Sequence, residues 1–135
     1  VTVGASQATA SAFLSAVFQA TAFSYAGLWV KLHVGDPGSA GTANPAGETT
    51  RMNASACFGT APALVSGYMQ IQNDAEIGPI ASVSTTETYS HVSFWTDPTA
   101  GTFAGSGTIT AASVTAGDPF SVPIGDCTAR QPVAA

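Results

Sequence analysis

His33 and Asp36 stand three residues apart, so a serine nearby would complete a Ser-His-Asp relay for acyl transfer. No string supplies that nucleophile. There is no G-x-S-x-G elbow, and neither Cys57 nor Cys127 is an activated thiol beside a base. His33 closes a strand-like run, and its expected role is structural, hydrogen-bonded to the loop that follows. His91 opens a second conspicuous string and takes the same reading. A carboxylate pair drawn from Asp36, Asp97 and Asp118 could hydrolyse a glycosidic bond. Each of the three precedes a proline, however, where a carboxylate caps the backbone N–H groups of a turn. Asp74 and Glu76, with Asn73, offer too few oxygens for a calcium loop and are expected in a solvated turn. Trp29, Trp95, Tyr25, Tyr68 and Tyr89 could build a sugar-stacking platform, although aromatics on short strands more often serve a core. Arg51 is expected to clamp the preceding loop through Asp36 or Glu48, with an intersubunit ion pair as the alternative. The chain is therefore expected to be no enzyme and to need no cofactor or metal.

The bulk properties narrow the class further. A chain of 135 residues is expected to form one β-rich domain over residues 1–135. Charged residues are only 8% of it, and a net charge of −5 rests on three basic residues, Lys31, Arg51 and Arg130. No basic patch can form, which argues against nucleic acid. A surface of Ser, Thr, Ala and Gly costs little to desolvate and suits packing against other chains. The first charged side chain is Lys31. The run before it is interrupted by Ser, Thr and Gln and has no basic start, so neither a membrane span nor a signal peptide is expected. Two cysteines could bridge, but two buried thiols are the favoured reading.

The elements that position these residues can be placed. Phe13, Leu14, Val17 and Phe18, with Ala10 and Thr21 extending the face, predict an amphipathic helix over 6–23, N-capped by Ser6. Such a helix cannot stand alone at this length. It is expected to cover one face of its own domain rather than dock elsewhere. Leu28, Val30, Leu32 and Val34 alternate with Trp29, Lys31 and His33, a half-buried strand. Asp36-Pro37-Gly38 stops that strand, with φ fixed at Pro37 and φ > 0 allowed at Gly38. A long small-residue loop follows, of the kind that forms interfaces. Further strands are expected over Thr49–Phe58, Tyr68–Gln72, Ile80–Val83, Thr88–Trp95, Thr102–Gly107, Ile109–Thr110, around Val114, over Phe120–Ile124 and over Cys127–Arg130. Residues 59–67 are expected as loop, and Gly105-Ser106-Gly107 as a bulge or a close backbone approach. The fold class is mainly β: a single-domain sandwich or barrel of short antiparallel strands, core about 28–130, with one N-terminal helix.

Two ordered blocks carry a resemblance. One is Leu32-His33-Val34-Gly35-Asp36-Pro37-Gly38, then Gly41-Thr42-Ala43-Asn44 and Arg51. The other runs His91 to Trp95, Asp97 to Phe103, Gly105 to Gly107, then Ala116-Gly117-Asp118-Pro119-Phe120 and on to Gly125. Over about Leu28 to Asp126, with Phe58 to Val83 matching poorly, the chain resembles small β-rich virion structural proteins of tailed bacteriophages, mostly of actinobacterial hosts. The resemblance implies a protein that assembles on the virion surface after synthesis in the host cytoplasm. Without a coiled-coil or collagen-like stem, a minor capsid or decoration protein is the expectation. The alternative is a minor tail or tail-fibre protein with a host-glycan-binding role. The implied partners are other copies of the chain, expected as a trimer, and the major capsid or tail proteins, with no nucleic acid and no membrane. His33, Asp36, Pro37, Gly38, Asn44, Arg51, Trp95 and Asp97 are the expected structural-loop or interface residues.

Overall fold

Val30 and Leu32, two residues apart on one strand, must point to the same side. In a computed structural model, which describes residues 3–134, both are fully buried and begin the core. The elements in chain order are α1 (Gln7–Gln19), β1 (Trp29–His33), β2 (Met52–Asn53), β3 (Ala63–Val65), β4 (Tyr68–Gln72), β5 (Ile77–Ile80), β6 (Glu87–Trp95), β7 (Phe103–Val114), β8 (Phe120–Val122) and β9 (Thr128–Pro132). They form a single small domain, mostly β. Seven strands make one antiparallel sheet in the order β2-β1-β6-β7-β9-β4-β3, and β5 pairs with β8 in a second. No helix among the described residues is long and apolar enough to cross a membrane.

The register of β1 against β6 sorts side chains by face. Val30 opposite Phe94 and Leu32 opposite Val92 line one face. They join Ile77, Val83, Val122 and Met52 in one apolar cluster with the small sheet. Tyr89 closes it edge-to-face on Phe120, ring centroids 4.9 Å apart. Trp29 opposite Trp95, Lys31 opposite Ser93 and His33 opposite His91 line the other face. Alternation alone would leave His33 wet. It is fully buried, because the loop after β1 folds back over it.

Several elements depart from the sequence-based expectation for identifiable reasons. The strand expected over Thr49–Phe58 shrinks to Met52–Asn53, since the Asn53 carboxamide oxygen accepts the Ser55 N–H and turns the chain. The loop expected over 59–67 contains β3. Ser66 (φ 51°) and Gly67 (φ 82°) both adopt the left-handed conformation, which a two-residue hairpin turn requires. The strands expected at Thr102–Gly107, Ile109–Thr110 and Val114 merge into β7. Gly105 and Gly107 do not break β7; they admit neighbours. A Cβ on Gly105 would lie 2.7 Å from the Gly4 carbonyl oxygen, and one on Gly107 would strike the Thr128 carbonyl of β9. The expected close approach is thus present. Ser106 N–H donates to Gly4 O at 2.7 Å, tying the N-terminal arm to β7.

Helix α1 differs most. Ser6 caps it as expected, its hydroxyl accepting the Thr9 N–H. The helix ends at Gln19, with Ala20 left-handed, rather than at residue 23. No residue of it is buried, so it does not cover its own domain. Phe13, Leu14, Val17 and Phe18 are 46%, 53%, 57% and 79% exposed. Only the first turn is fastened, by Ser6 N–H to Ala104 O at 3.0 Å and Thr9 Oγ1–H to the same oxygen at 2.7 Å.

Asn73, which precedes the Asp74–Glu76 pair expected in a solvated turn, is 1% exposed. Its amide donates to Ala75 O and Pro123 O, and its carbonyl accepts Cys127 N–H at 2.9 Å. It joins the start of β9 to the ends of β4 and β8. Cys57 and Cys127 are free, buried thiols, as favoured. Burial pushes the Cys127 thiol up to about 12, with the charge of Asp126 adding to it. Replacing Asn73 by Ala strands three backbone groups, and we expect a loss of about 2–4 kcal/mol in urea unfolding. The same titration on Asp74→Ala checks the contrast: Asp74 is exposed and should be far more tolerant.

Candidate functional site

The eight residues singled out by type come together. Pairing of β1 with β6 brings His33 beside the string that holds Trp95 and Asp97, with Ser93 of that string 60 positions from it in sequence. The connecting group is Ser93, fully buried. Trp95 Nε1–H donates to Ser93 Oγ at 2.8 Å, and Ser93 Oγ lies 2.8 Å from His33 Nε2. His33 Nδ1 lies 2.8 Å from the Ala43 carbonyl oxygen. A carbonyl only accepts, so Nδ1 carries the proton and Nε2 accepts from the serine hydroxyl. Burial lowers the His33 pKa, opposed by the Ala43 carbonyl and assisted by the charge of Lys31. The ring is neutral, sealed and fully hydrogen-bonded.

The loop that seals it is held by its own turn chemistry. Asp36 Oδ1 accepts Gly38 N–H at 2.8 Å, the expected cap. Pro37 is buried, and its carbonyl accepts Ala43 N–H at 2.8 Å. Asn44 is left-handed at φ 47°, and its amide donates to Asp36 O at 2.9 Å. Gly41 has φ 71° and abuts the Phe103 ring, where an added Cβ would lie 2.5 Å from the ring carbon. Only glycine satisfies both demands. Asp36 therefore serves the turn and His33 serves Ser93 and Ala43, so the imagined His-Asp relay does not form.

Arg51 corrects the expected clamp. Its Nη1 donates to Asp97 O and Ala100 O, each at 2.7 Å, and its guanidinium sits 4.3 Å above the Trp95 ring. It holds the β6–β7 hairpin, not the loop of Asp36. Asp97 Oδ1 accepts the N–H groups of Thr99 and Ala100 at 3.0 and 2.9 Å, and these bonds lower its pKa. Trp95 also packs on Phe103, centroids 5.5 Å apart. With Tyr89 in the core and Trp95 flanked by Arg51 and Phe103, these aromatics do not form one open stacking platform.

Two carboxylates fasten the far end of the loop: Glu48, expected as a partner of Arg51 but bonded to backbone instead, and Glu87, which the sequence reading missed. Glu87 accepts Gly47 N–H and Glu48 N–H at 2.9 and 3.1 Å. Glu48, 5% exposed, accepts Thr50 N–H at 3.1 Å and Ser84 N–H at 2.8 Å. Burial raises the Glu48 pKa, but the bonds from Thr50 and Ser84 outweigh it and hold the carboxyl below the ordinary 4.5. The nearby Tyr89 hydroxyl is pushed up to about 12, first by burial and then by the charges of Glu87 and Glu48. An acidic residue within a Gly/Ala/Thr loop was the available signal. Nothing in the string told which backbone groups it would meet.

Two outcomes follow for solution work. Replacing Arg51 by Ala should cost about 1–2 kcal/mol and speed hydrogen exchange at residues 97–102. Amides of residues 36–45 should keep their protection. For pH, the unfolded chain protonates His33 near 6.5 while the folded state resists, so stability falls as pH drops below about 6.5. Glu48 adds stability above its ordinary 4.5 that is lost as pH falls through its lower folded value. Unfolding temperatures from pH 8 to pH 3 should decline in two stages, and His33→Gln should remove the upper one.

No curated protein matches the chain. Residues 4–130 match the family model described as podophage GP4 fiber I protein gp80. The match takes in α1, β1 to β8, the first three residues of β9 and the whole His33–Arg51–Trp95 assembly. The chain belongs to the podophage GP4 fiber I protein gp80 family and is a structural protein of a bacteriophage virion.

Proposed function

We propose that this chain is a building block of a phage tail fibre and that its role is mechanical. The observation that carries the reading is the match to a fibre family across residues 4–130. It favours the tail-fibre alternative over the capsid-decoration expectation drawn from the missing stem. The geometry agrees with it. His33, His91 and the carboxylates of Asp36 and Asp97 serve backbone and side-chain partners within the fold, and His33 has no exposed surface on which to meet a substrate. A locked hairpin and a locked loop side by side give a stiff module, as a fibre that transmits load needs. The surface carries few charges, which suits copies packed against each other and against other virion proteins. In this reading the chain hydrolyses neither peptidoglycan nor polysaccharide and needs no metal.

Gold-labelled antibody to the chain, viewed on intact particles by negative-stain electron microscopy, tests the location. Label confined to the fibres is the expected result, with adsorption to host cells lost when the gene is deleted and heads still filled. Label spread over the capsid facets would return the reading to a decoration protein. Cleavage of host cell-wall material by the purified chain would overturn the mechanical role.

A further inference from the structure

Helix α1 is fastened at one end and bare along its length. A helix of 13 residues is marginal in water by itself, and its exposed side is its apolar side. Beside its base lies an open groove of about 380 Å³. Tyr25, Phe58, Met69, Ile71, Phe94 and Ala129 line it. The β3–β4 hairpin extends the wall, since Leu64 pairs with Met69 and so shares its side of the sheet. Leu64 is 66% exposed and Met69 38%.

We propose that this helix is a docking arm for a second copy of the chain: the Phe13–Leu14–Val17–Phe18 face of one copy seats against the groove and α1 of another. The inference rests on the fibre reading and names the surface through which copies would join. Area is the first argument. The apolar side chains of α1, Phe23, Leu64 and Met69 leave on the order of 750 Å² exposed per chain, close to the roughly 800 Å² that each partner contributes to a stable interface. A lone globular chain rarely leaves such a patch in water. Charge is the second. The sequence has no charged side chain before Lys31 and carries −5 elsewhere in sum. The one charged residue lining the groove is the cation Arg130, so neither surface presents a negative charge and copies of an acidic protein repel least there. A helix seeking a lipid surface would carry Lys or Arg on its polar side, and α1 has neither. Arrangement is the third. Arm and groove adjoin on one chain, so two chains can offer arm to groove reciprocally, the condition for a closed symmetric contact.

The test uses the whole chain in sedimentation and in cross-linking. Association should rise with concentration, and Phe18→Asp and Met69→Glu should each weaken it at least about 100-fold. Both positions are exposed, and unchanged circular dichroism checks the fold. Phe18→Cys chains mixed with Met69→Cys chains should oxidise to a product of two chains, because each carries only one of the new thiols. A wild-type monomer at every concentration, undiminished association of both variants, or no two-chain product would overturn the inference. So would binding to phosphatidylcholine vesicles, lost in Phe18→Asp, without self-association. A monomer that still labels the fibres would sink the docking arm and leave the fibre role. An oligomer absent from the fibres would do the reverse.

Discussion

His33 is the side chain whose needs organise the face on which it lies. An imidazole removed from water must place both ring nitrogens, or the fold bears the cost of about 1–3 kcal/mol for each one left bare. One nitrogen is met by Ser93 on β6, which fixes the register of β6 against β1. The other is met by the Ala43 carbonyl, which brings the loop down over the strand. Loop and sheet are thus closed by one neutral ring. The Asp36 turn cap, the left-handed Asn44 and the glycine against Phe103 are the local means by which the loop reaches that carbonyl.

From this ring the order spreads through Ser93 to Trp95, and from Trp95 to the hairpin held by Arg51. The arrangement uses few charges, and those it uses face backbone rather than each other. Glu48 and Glu87 take N–H groups, Arg51 takes carbonyls, and Asp97 takes its own turn. Such bonds are directional and depend on the chain path, so they stiffen loops that a surface ion pair would leave mobile. A module of this kind suits a virion part that must keep its shape.

The sequence was most legible where local chemistry decides. The strand ending at His33, the turn at Asp36-Pro37-Gly38, the cap at Ser6 and the close approaches at Gly105 and Gly107 all follow from residue type and neighbours. It was least legible where a distant partner decides. Arg51 could reach several acceptors, and only the pairing of β1 with β6 puts the Asp97–Ala100 turn beneath it. Asn73 reads as a strand breaker, yet long-range contacts with Pro123 and Cys127 turn it into a core residue. β3 is exposed throughout and so lacks the alternation that marks a buried strand. For α1 the apolar face was read correctly, but a period in sequence says what must be covered and not by what.

The protonation state of one ring tests the framework most directly. Nitrogen-15 correlation spectra of the imidazoles can follow His33 from pH 8 to pH 5 in the folded protein. A neutral ring is expected, with its proton on Nδ1, its pKa lowered from 6.5 by burial and its N–H slow to exchange with solvent. A His33 that titrates near 6.5, or carries its proton on Nε2 and exchanges freely, would mean that the loop does not seal the strand and that the framework described above is wrong.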